Sequence, residues 1–516
     1  MQAIVRLLDR DHAWSAVFFG FLISIVVIYN DELINSDGIL YLESARLFVE
    51  QGWAAGFNKF HWPFFSLLIL FVSKALFISL EHAAYVLNIF LLGLLAFTFV
   101  RCVQELGGDR KVTLAAAILF LTSVSLNEYR DLIVRDFGYL AFSFSALWLL
   151  LRFNRTRLPR HAILAGVALI CATLFRVEGI VFIALAPLAL FFAKDDFGDR
   201  LKNTLLVWLP AILLLVIAMV FLPLFMDSDQ LARSKLAESV ILLDMLQQGI
   251  VEGISAKAGV LKSEVLHYYS RDIATQGVIA IIITIILEQV LSTTGVVVTA
   301  LLIWGLYKRN IQNQVINASF PLWLIAVNLL IITGFVIANF FLVGRYVLYL
   351  ALLLTLFASF PLARILFRET ANKAMTPVGG KLRTLLIIVL AYMLADGMVS
   401  LSSDKAYIRD AARWLEKNAQ GALILSNQEH MYYYTGRYIP WNEMEVINKP
   451  TRLSQIPEIE KSGLYKYNYN YIVMKIGRKQ SGFEDKLVSW IGSQPVYRTE
   501  NKHGAKVLIF RVEESP

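Results

Sequence analysis

The chain alternates apolar runs with short polar loops. Runs that approach the length needed to cross about 30 Å of hydrocarbon are predicted over 13–29, 82–103, 112–126, 137–151, 162–175, 179–193, 203–226, 289–307, 319–342, 346–363 and 384–400. The first has no small-residue cleavage site and reads as an uncleaved helix. Trp62 to Leu80 is also apolar, but it carries Lys74 near its middle and would have to reverse into His82 almost without a turn. Loop charge decides its place. If it spanned, with the N-terminus inside, Arg152, Arg155, Arg157 and Arg160 would lie outside. If it does not, they join Arg6, Arg10, Arg110, Lys111, Lys308, Arg309 and the basic loop from Arg364 to Arg383 on the inner side, as the positive-inside rule requires. The pattern therefore predicts a polytopic α-helical membrane protein of about eleven spans. Trp62–Leu80 becomes an interfacial helix, with the N-terminus cytoplasmic and the C-terminus outside.

This topology leaves four pieces on the outer side: loops 30–81, 127–136 and 227–276, and a tail from 401 to 516 that follows the membrane domain of residues 1–400. The tail is mixed polar. A helix is predicted over Asp404–Asn418, with Ile408, Ala411, Ala412 and Leu415 on one face and Ser402 or Ser403 as its cap. Strand-like runs are Gly421–Ser426, Tyr471–Lys475 and Lys506–Val512, so the tail is expected to be a small α/β domain.

Composition agrees with the membrane reading. Over 516 residues the hydrophobic fraction is 57% and the mean hydropathy +0.59, more apolar surface than a soluble fold of this size hides. The net charge of +8 sits largely in short loops and is not a nucleic-acid signature. Cys102 and Cys171 fall in or beside apolar runs and read as small apolar fillers. No spacing suits zinc, so no metal ligands are assigned.

The candidate chemistry gathers at one predicted membrane face. Asp37 opens an amphipathic stretch just past the first span; it suits a catalytic carboxylate, and aspartate also caps helices well. In the second outer loop Glu128, Asp131 and Asp136 alternate with Arg130 and Arg135, and Asp136 leads directly into an apolar run, where a carboxylate needs a partner. Arg176 and Glu178 mark the turn of a helical hairpin and form either a plain salt bridge or part of a site. Lys74 either snorkels or meets a lipid phosphate. Arg345, followed by Tyr346, offers a planar fork suited to phosphate, or an anchor at the membrane boundary. His61 and His267 are compatible with sugar or phosphate contact. Glu288 interrupts a long apolar run and is expected to face protein or water.

Four short motifs, in this order, resemble the GT-C superfamily of glycosyltransferases that use polyprenyl-phosphate sugars. The nearest branch is the bacterial one related to protein O-mannosyltransferases and the lipid A aminoarabinose transferase. They are Asp37-Gly38 with Tyr41 after the first span, His61-Trp62-Pro63 opening the interfacial helix, Arg176-Val177-Glu178-Gly179 at the hairpin turn, and Gly344-Arg345-Tyr346 near a late span. The tail is similar to the small extracytoplasmic domain of many members. The resemblance implies a bacterial inner-membrane enzyme with a periplasmic C-terminal domain. Its donor would be a polyprenyl-phosphate-linked sugar drawn from the membrane lipid, and its acceptor a glycan, lipid or protein, with inversion at the anomeric carbon. It implies Asp37 as the catalytic carboxylate, with Asp136, or else Asp131, assisting. Lys74, Arg176 and Arg345 are then candidates for the donor phosphate, and Tyr41, His61, Glu178, His267 and Tyr346 for substrate contact. Some oligosaccharyltransferases of the superfamily hold a divalent metal on such carboxylates, so a metal is left open here. The competing class is a lipid or polysaccharide transporter, which more often shows repeated halves and charges near the bilayer midplane; neither is evident.

Overall fold

A computed structural model describes residues 11–30, 33–225, 253–367, 377–398, 405–419, 422, 424–435, 470–480 and 482–512. Its larger part is a helical bundle. In chain order, α1 (His12–Tyr29) leads through a short connection to α2 (Ser36–Glu50), α3 (Trp53–Lys59) and α4 (Phe64–Leu76). α5 (Leu80–Glu105), α6 (Arg110–Leu121), the single turn α7 (Val124–Asn127), α8 (Asp136–Thr156) and α9 (Pro159–Phe175) follow. α10 (Gly179–Leu185) runs on as a 3-10 turn, Ala186–Phe192, before α11 (Phe197–Phe225). The later bundle is α12 (Ala274–Thr294), α13 (Val296–Tyr307), α14 (Asn310–Gln314), α15 (Ser319–Asn339), α16 (Gly344–Leu366) and α17 (Pro377–Met398).

Among the described residues, seven helical stretches are long and apolar enough to cross a membrane: α1, α5, α8, residues 197–217 of α11, a stretch from Tyr268 through α12, α15 and α16. α4, α9, α10 with its 3-10 extension, and α13 are apolar but shorter. Local chemistry starts the helices where the sequence turns polar. Asp11, Ser79 and Asp109 each cap a helix by accepting a hydrogen bond from a first-turn N–H, of Ala13, His82 and Val112 respectively. α4 has 13 residues, about 20 Å at 1.5 Å per residue, short of a span. Among the described residues two expected spans are interrupted. The run 112–126 breaks between Leu121 and Val124, leaving α6 and the turn α7. The run 289–307 divides at Gly295 into the end of α12 and all of α13. Glu288 and Gln289 lower the local hydropathy without ending the helix, so the apolar residues before them belong to α12 as well. Of the expected loop 227–276, residues 227–252 lie outside the described residues.

The bundle core is aromatic and alanine-rich, with Phe99, Phe120 and Phe144 fully buried and their rings packed at a tilt between α5, α6 and α8. Both cysteines are free, and the buried Cys102 donates to the Phe144 carbonyl. One end of the bundle is basic. There Arg155 makes a two-point contact with Glu105 at 2.7 and 2.8 Å, Arg157 pairs with Asp195, and Asn154 bonds Asn317 at 3.2 Å.

The C-terminal part is an α/β domain. Its elements are α18 (Ala406–Asn418), β1 (Ile424–Ser426), α19 (Glu429–Thr435), β2 (Tyr471–Ile476), α20 (Phe483–Ile491), β3 (Tyr497–Glu500) and β4 (Lys506–Arg511). The strand order is β1-β2-β4-β3, with β1 parallel to β2 and the other two pairs antiparallel. Ile408, Ala411, Ala412 and Leu415 of α18 are buried against Val473, Val507 and Ile509. Leu508 and Phe510 alternate to the opposite face, beneath Leu487 of α20. Both faces of the sheet are thus covered by a helix. The expected caps Ser402 and Ser403 lie outside the described residues. β3 is a strand that the hydropathy pattern does not announce, since Tyr-Arg-Thr-Glu alternates without an apolar run.

Candidate active site

The helix α2 begins at Ser36 with Asn35 in the N-cap position, so Asp37 is the second helical residue and not the cap. Its carboxylate is free to point elsewhere, and it accepts a hydrogen bond from the Arg345 guanidinium at the start of α16. The two residues are 308 positions apart in sequence. Asp136 opens α8 and sits between two guanidiniums: Arg176 donates to it directly, and Arg345 Nε lies 3.9 Å away. Arg176 in turn forks onto Glu178, at 2.6 Å from Nη2 and 3.3 Å from Nε. Asp37, Arg345, Asp136, Arg176 and Glu178 therefore form one continuous chain of ion pairs at one end of the bundle.

The members differ in access. The Asp37 side chain is 39% exposed and that of Asp136 only 7%. Asp37 is the most exposed carboxylate of the chain of ion pairs, followed by Glu178; Asp136 is enclosed between the two arginines. The Glu178 carboxyl would be raised by burial alone, but the Arg176 guanidinium and its hydrogen bond hold it down at about 2. Glu178 is therefore a fixed anion.

Close backbone packing sets this geometry. Gly138 lies under the Phe175 ring, where an added Cβ would stand 2.3 Å from a ring carbon. That contact brings the end of α9, and so Arg176, up to Asp136. Gly38 is similarly tight against Ile133, with 2.9 Å to its Cβ. Asn35 completes the junction: its amide donates to the Ile133 carbonyl at 3.2 Å and accepts from the Ile133 N–H at 2.8 Å. The Asp37 segment is thereby fastened to the loop that leads into Asp136. The C-terminal domain touches the same segment. His430 Nε2 donates to the Ile34 carbonyl at 2.8 Å, and Leu33 packs into the core beneath α18.

Aromatic rings surround the arginines. The Tyr346 ring centre lies 4.6 Å from the Arg176 guanidinium carbon and 5.7 Å from that of Arg345. Tyr41 is buried edge-on between Phe60 and Phe65. Burial pushes its phenol well above the usual range, against the pull of Arg135, so it stays protonated. A narrow cavity of about 50 Å³ opens beside the ion pairs. Its lining includes Asp136, Arg176, Glu178, Arg345 and Tyr346.

Of the residues singled out in the sequence, Asp37, Asp136, Arg176, Glu178, Arg345 and Tyr346 come together, with Tyr41 beside them. Lys74 does not join them. It is exposed on α4, nine residues past the Phe65 that packs against Tyr41. His61 packs edge-on to Phe57, and His267 is exposed and stacks on Tyr269. Asp131 and Glu128 stand outside the ion-pair chain. Sequence reasoning overlooked Asn35, Tyr139, Asn328 and Tyr349. The last three line the cavity, and Asn328 carries a visible signal, a lone amide within an apolar run. Among the described residues no three carboxylate, histidine or cysteine side chains converge as metal ligands. Asp37 and Asp136 are each engaged by arginine, so the residues present do not fit a resident divalent ion.

No protein-family model and no curated protein matches the sequence. Solved structures do match. The chain is similar to the oligosaccharyltransferase AglB of Archaeoglobus fulgidus, solved with an inhibitory peptide and a dolichol-phosphate. The TM-score is 0.56 at 12% identity, covering 93% of this chain and 71% of that one. A second structure of the Archaeoglobus fulgidus oligosaccharyltransferase, tethered to an acceptor peptide, gives 0.55 at 13% identity over 96% and 73% of the two chains. ArnT from Cupriavidus metallidurans aligns over 96% of this chain and 97% of its own, at 11% identity and a TM-score of 0.42. At such identities the likeness is one of architecture: this chain shares the fold of the Archaeoglobus fulgidus oligosaccharyltransferase.

Proposed function

We propose that the protein transfers a sugar from a polyprenyl-phosphate donor to an acceptor hydroxyl on the extracytoplasmic side of the membrane. The observation that carries this reading is the ion-pair chain at the end of the apolar bundle, with Asp37 as its most exposed carboxylate. The side follows from charge. The basic cluster with Arg155 and Arg157 lies at the end of α8 opposite Asp136, and basic loops remain in the cytoplasm.

Asp37 and Arg345 pair directly. An incoming phosphate competes for the Arg345 fork, which suits two phosphate oxygens. That exchange releases the Asp37 carboxylate. Asp37 then accepts the proton of the acceptor hydroxyl as its oxygen attacks the anomeric carbon. The bond from that carbon to the phosphate oxygen breaks, and the electron pair leaves on the lipid phosphate. Arg345 and Arg176 stabilise the departing charge in a site where Asp136 and Glu178 hold their orientation. A single displacement inverts the anomeric carbon. Lys74, apart from this chain, is assigned only to attracting the anionic carrier headgroup at the membrane boundary. His61 and His267 are assigned no step.

The test is direct. Purified full-length protein is incubated with a panel of radiolabelled lipid-linked sugars, and transfer or hydrolysis is followed. Activity with at least one donor, inhibited by polyprenyl phosphate alone, is the expected result. No turnover of any member, with no binding of polyprenyl phosphate, ends the reading.

A further inference from the structure

Behind the ion pairs the cavity continues into the bundle between α15 and α16. Tyr349 lies one turn past Arg345, and Asn328 lies seven residues before Phe335, about 10 Å deeper along α15. Both line the cavity, with Ile331 and Ile332 beside them. Asn328 is 3% exposed and Tyr349 is 1% exposed. The amide oxygen of Asn328 and the hydroxyl of Tyr349 are buried with no hydrogen-bond partner. Such atoms are costly: each forfeits its hydration, and a phenylalanine or leucine of the same shape would cost nothing. A polar side chain placed within a membrane bundle at this cost is retained where something uses it.

We infer that Asn328 and Tyr349 form a subsite that reads hydroxyl groups of the donor sugar, and that this subsite sets which sugar is moved. The inference rests on the proposed transferase reading, because it takes the ion pairs as the seat of the carrier phosphate. The chemistry of the floor narrows the ligand class. Asn328 offers an oxygen that needs a donor, and the Tyr349 hydroxyl both donates and accepts. The charged members of the lining are those of the ion-pair chain, and the deeper wall is aliphatic and aromatic. Burying a carboxylate or an ammonium group there without a countercharge is unfavourable. The subsite therefore takes a neutral, hydroxyl-bearing sugar and disfavours a uronic acid or a protonated amino sugar. An isoprenoid tail is excluded on the same ground, since it would leave both polar atoms unpartnered.

The variants Asn328→Leu and Tyr349→Phe test this in the full-length protein in lipid nanodiscs. Each removes an unpartnered buried group, so the melting temperature in the absence of substrate should hold or rise. The probes are a polyprenyl-phosphate-linked neutral hexose, its monodeoxy counterparts, and polyprenyl phosphate without sugar. The wild-type protein should favour the hexose over at least one deoxy counterpart by about ten-fold or more in kcat/KM. Both variants should erase that preference, with inhibition by sugar-free polyprenyl phosphate changed by less than about two-fold. If the wild-type protein turns over a donor and the variants keep its sugar preference, the subsite is wrong and the transferase reading stands. Equal weakening of inhibition by the sugar-free carrier would place the lipid in the cavity and overturn the subsite as well. A wild-type protein that processes no lipid-linked sugar overturns both.

Discussion

The ion-pair chain holds two kinds of contact, and replacing one carboxylate at a time should separate them. Asp37 and Arg345 are both partly solvated, so their pairing is screened and contributes about 0–1 kcal/mol to stability. Asp37→Asn is therefore expected to cost less than about 1 kcal/mol of folding free energy. The same change removes the proton acceptor, which is worth about 10²- to 10⁴-fold in rate. Asp136 is different. It and Arg176 are almost wholly enclosed, and Asp136→Asn leaves the Arg176 guanidinium with Glu178 as its one carboxylate partner among the described residues. Breaking one side of a buried pair costs about 3–5 kcal/mol; the surviving Glu178 contact and the retained amide hydrogen bond bring the expected cost toward the lower end. Reversible unfolding in mixed micelles gives the stability of each variant, and turnover of a lipid-linked donor gives the rate. The expected pattern is a stable, inactive Asp37→Asn and a destabilised Asp136→Asn. An Asp37→Asn protein that keeps full turnover while folded shows that Asp37 is not the base. An Asp136→Asn protein as stable as the parent shows that the pair with Arg176 is not what positions the arginines.

Three further outcomes follow from the packing and titration of the site. Gly138→Ala forces a methyl into the Phe175 ring and should cost about 1–3 kcal/mol, with loss of activity because Arg176 shifts; a normal melting temperature and rate would refute the contact. Asn35→Leu orphans the N–H and C=O of Ile133, for a cost of about 1–3 kcal/mol, and should lower kcat more than it raises the donor KM; unchanged kcat in a folded variant would show that the junction does not position Asp37. Glu178 is held near 2, below its ordinary 4.5, so its contribution to stability is complete above about 4.5 and is lost as the pH falls toward 2. Melting temperatures between pH 7 and pH 3 should therefore fall less in Glu178→Gln than in the parent, and parallel curves would contradict this.

The His430 contact shows how far apart in sequence the parts of the site lie. His430 belongs to the C-terminal domain, yet it bonds the carbonyl of Ile34, three residues before Asp37. Nothing in the local pattern around His430 points there. The same holds for Arg345 and Asp37, whose meeting depends on the packing of α16 within the bundle. Arg176 with Glu178 was easier to read, because two opposite charges in an otherwise apolar hairpin have few other places to go. Lys74, His61 and His267 looked as promising as Arg345 by residue type. Their helix faces and loops turn them away from the ion-pair chain, and residue type carries no information about that. The span 289–307 was misread because hydropathy reports average polarity over a window, whereas a helix tolerates Glu288 and Gln289 as long as its backbone bonds continue.

By itself the sequence determined the class of the protein. Apolar runs of bilayer length must become helices in a membrane, because backbone groups there find partners only within their own segment. Their order, the basic loops and the face of α18 followed from the same local rules. The tertiary structure decided which charges meet, which carboxylate is most exposed, and which polar residues, Asn328 and Tyr349 among them, line the cavity. Those outcomes depend on the distance and burial of side chains hundreds of residues apart, and burial, which sets the worth of a charge or a hydroxyl, exists only once the bundle has closed around it.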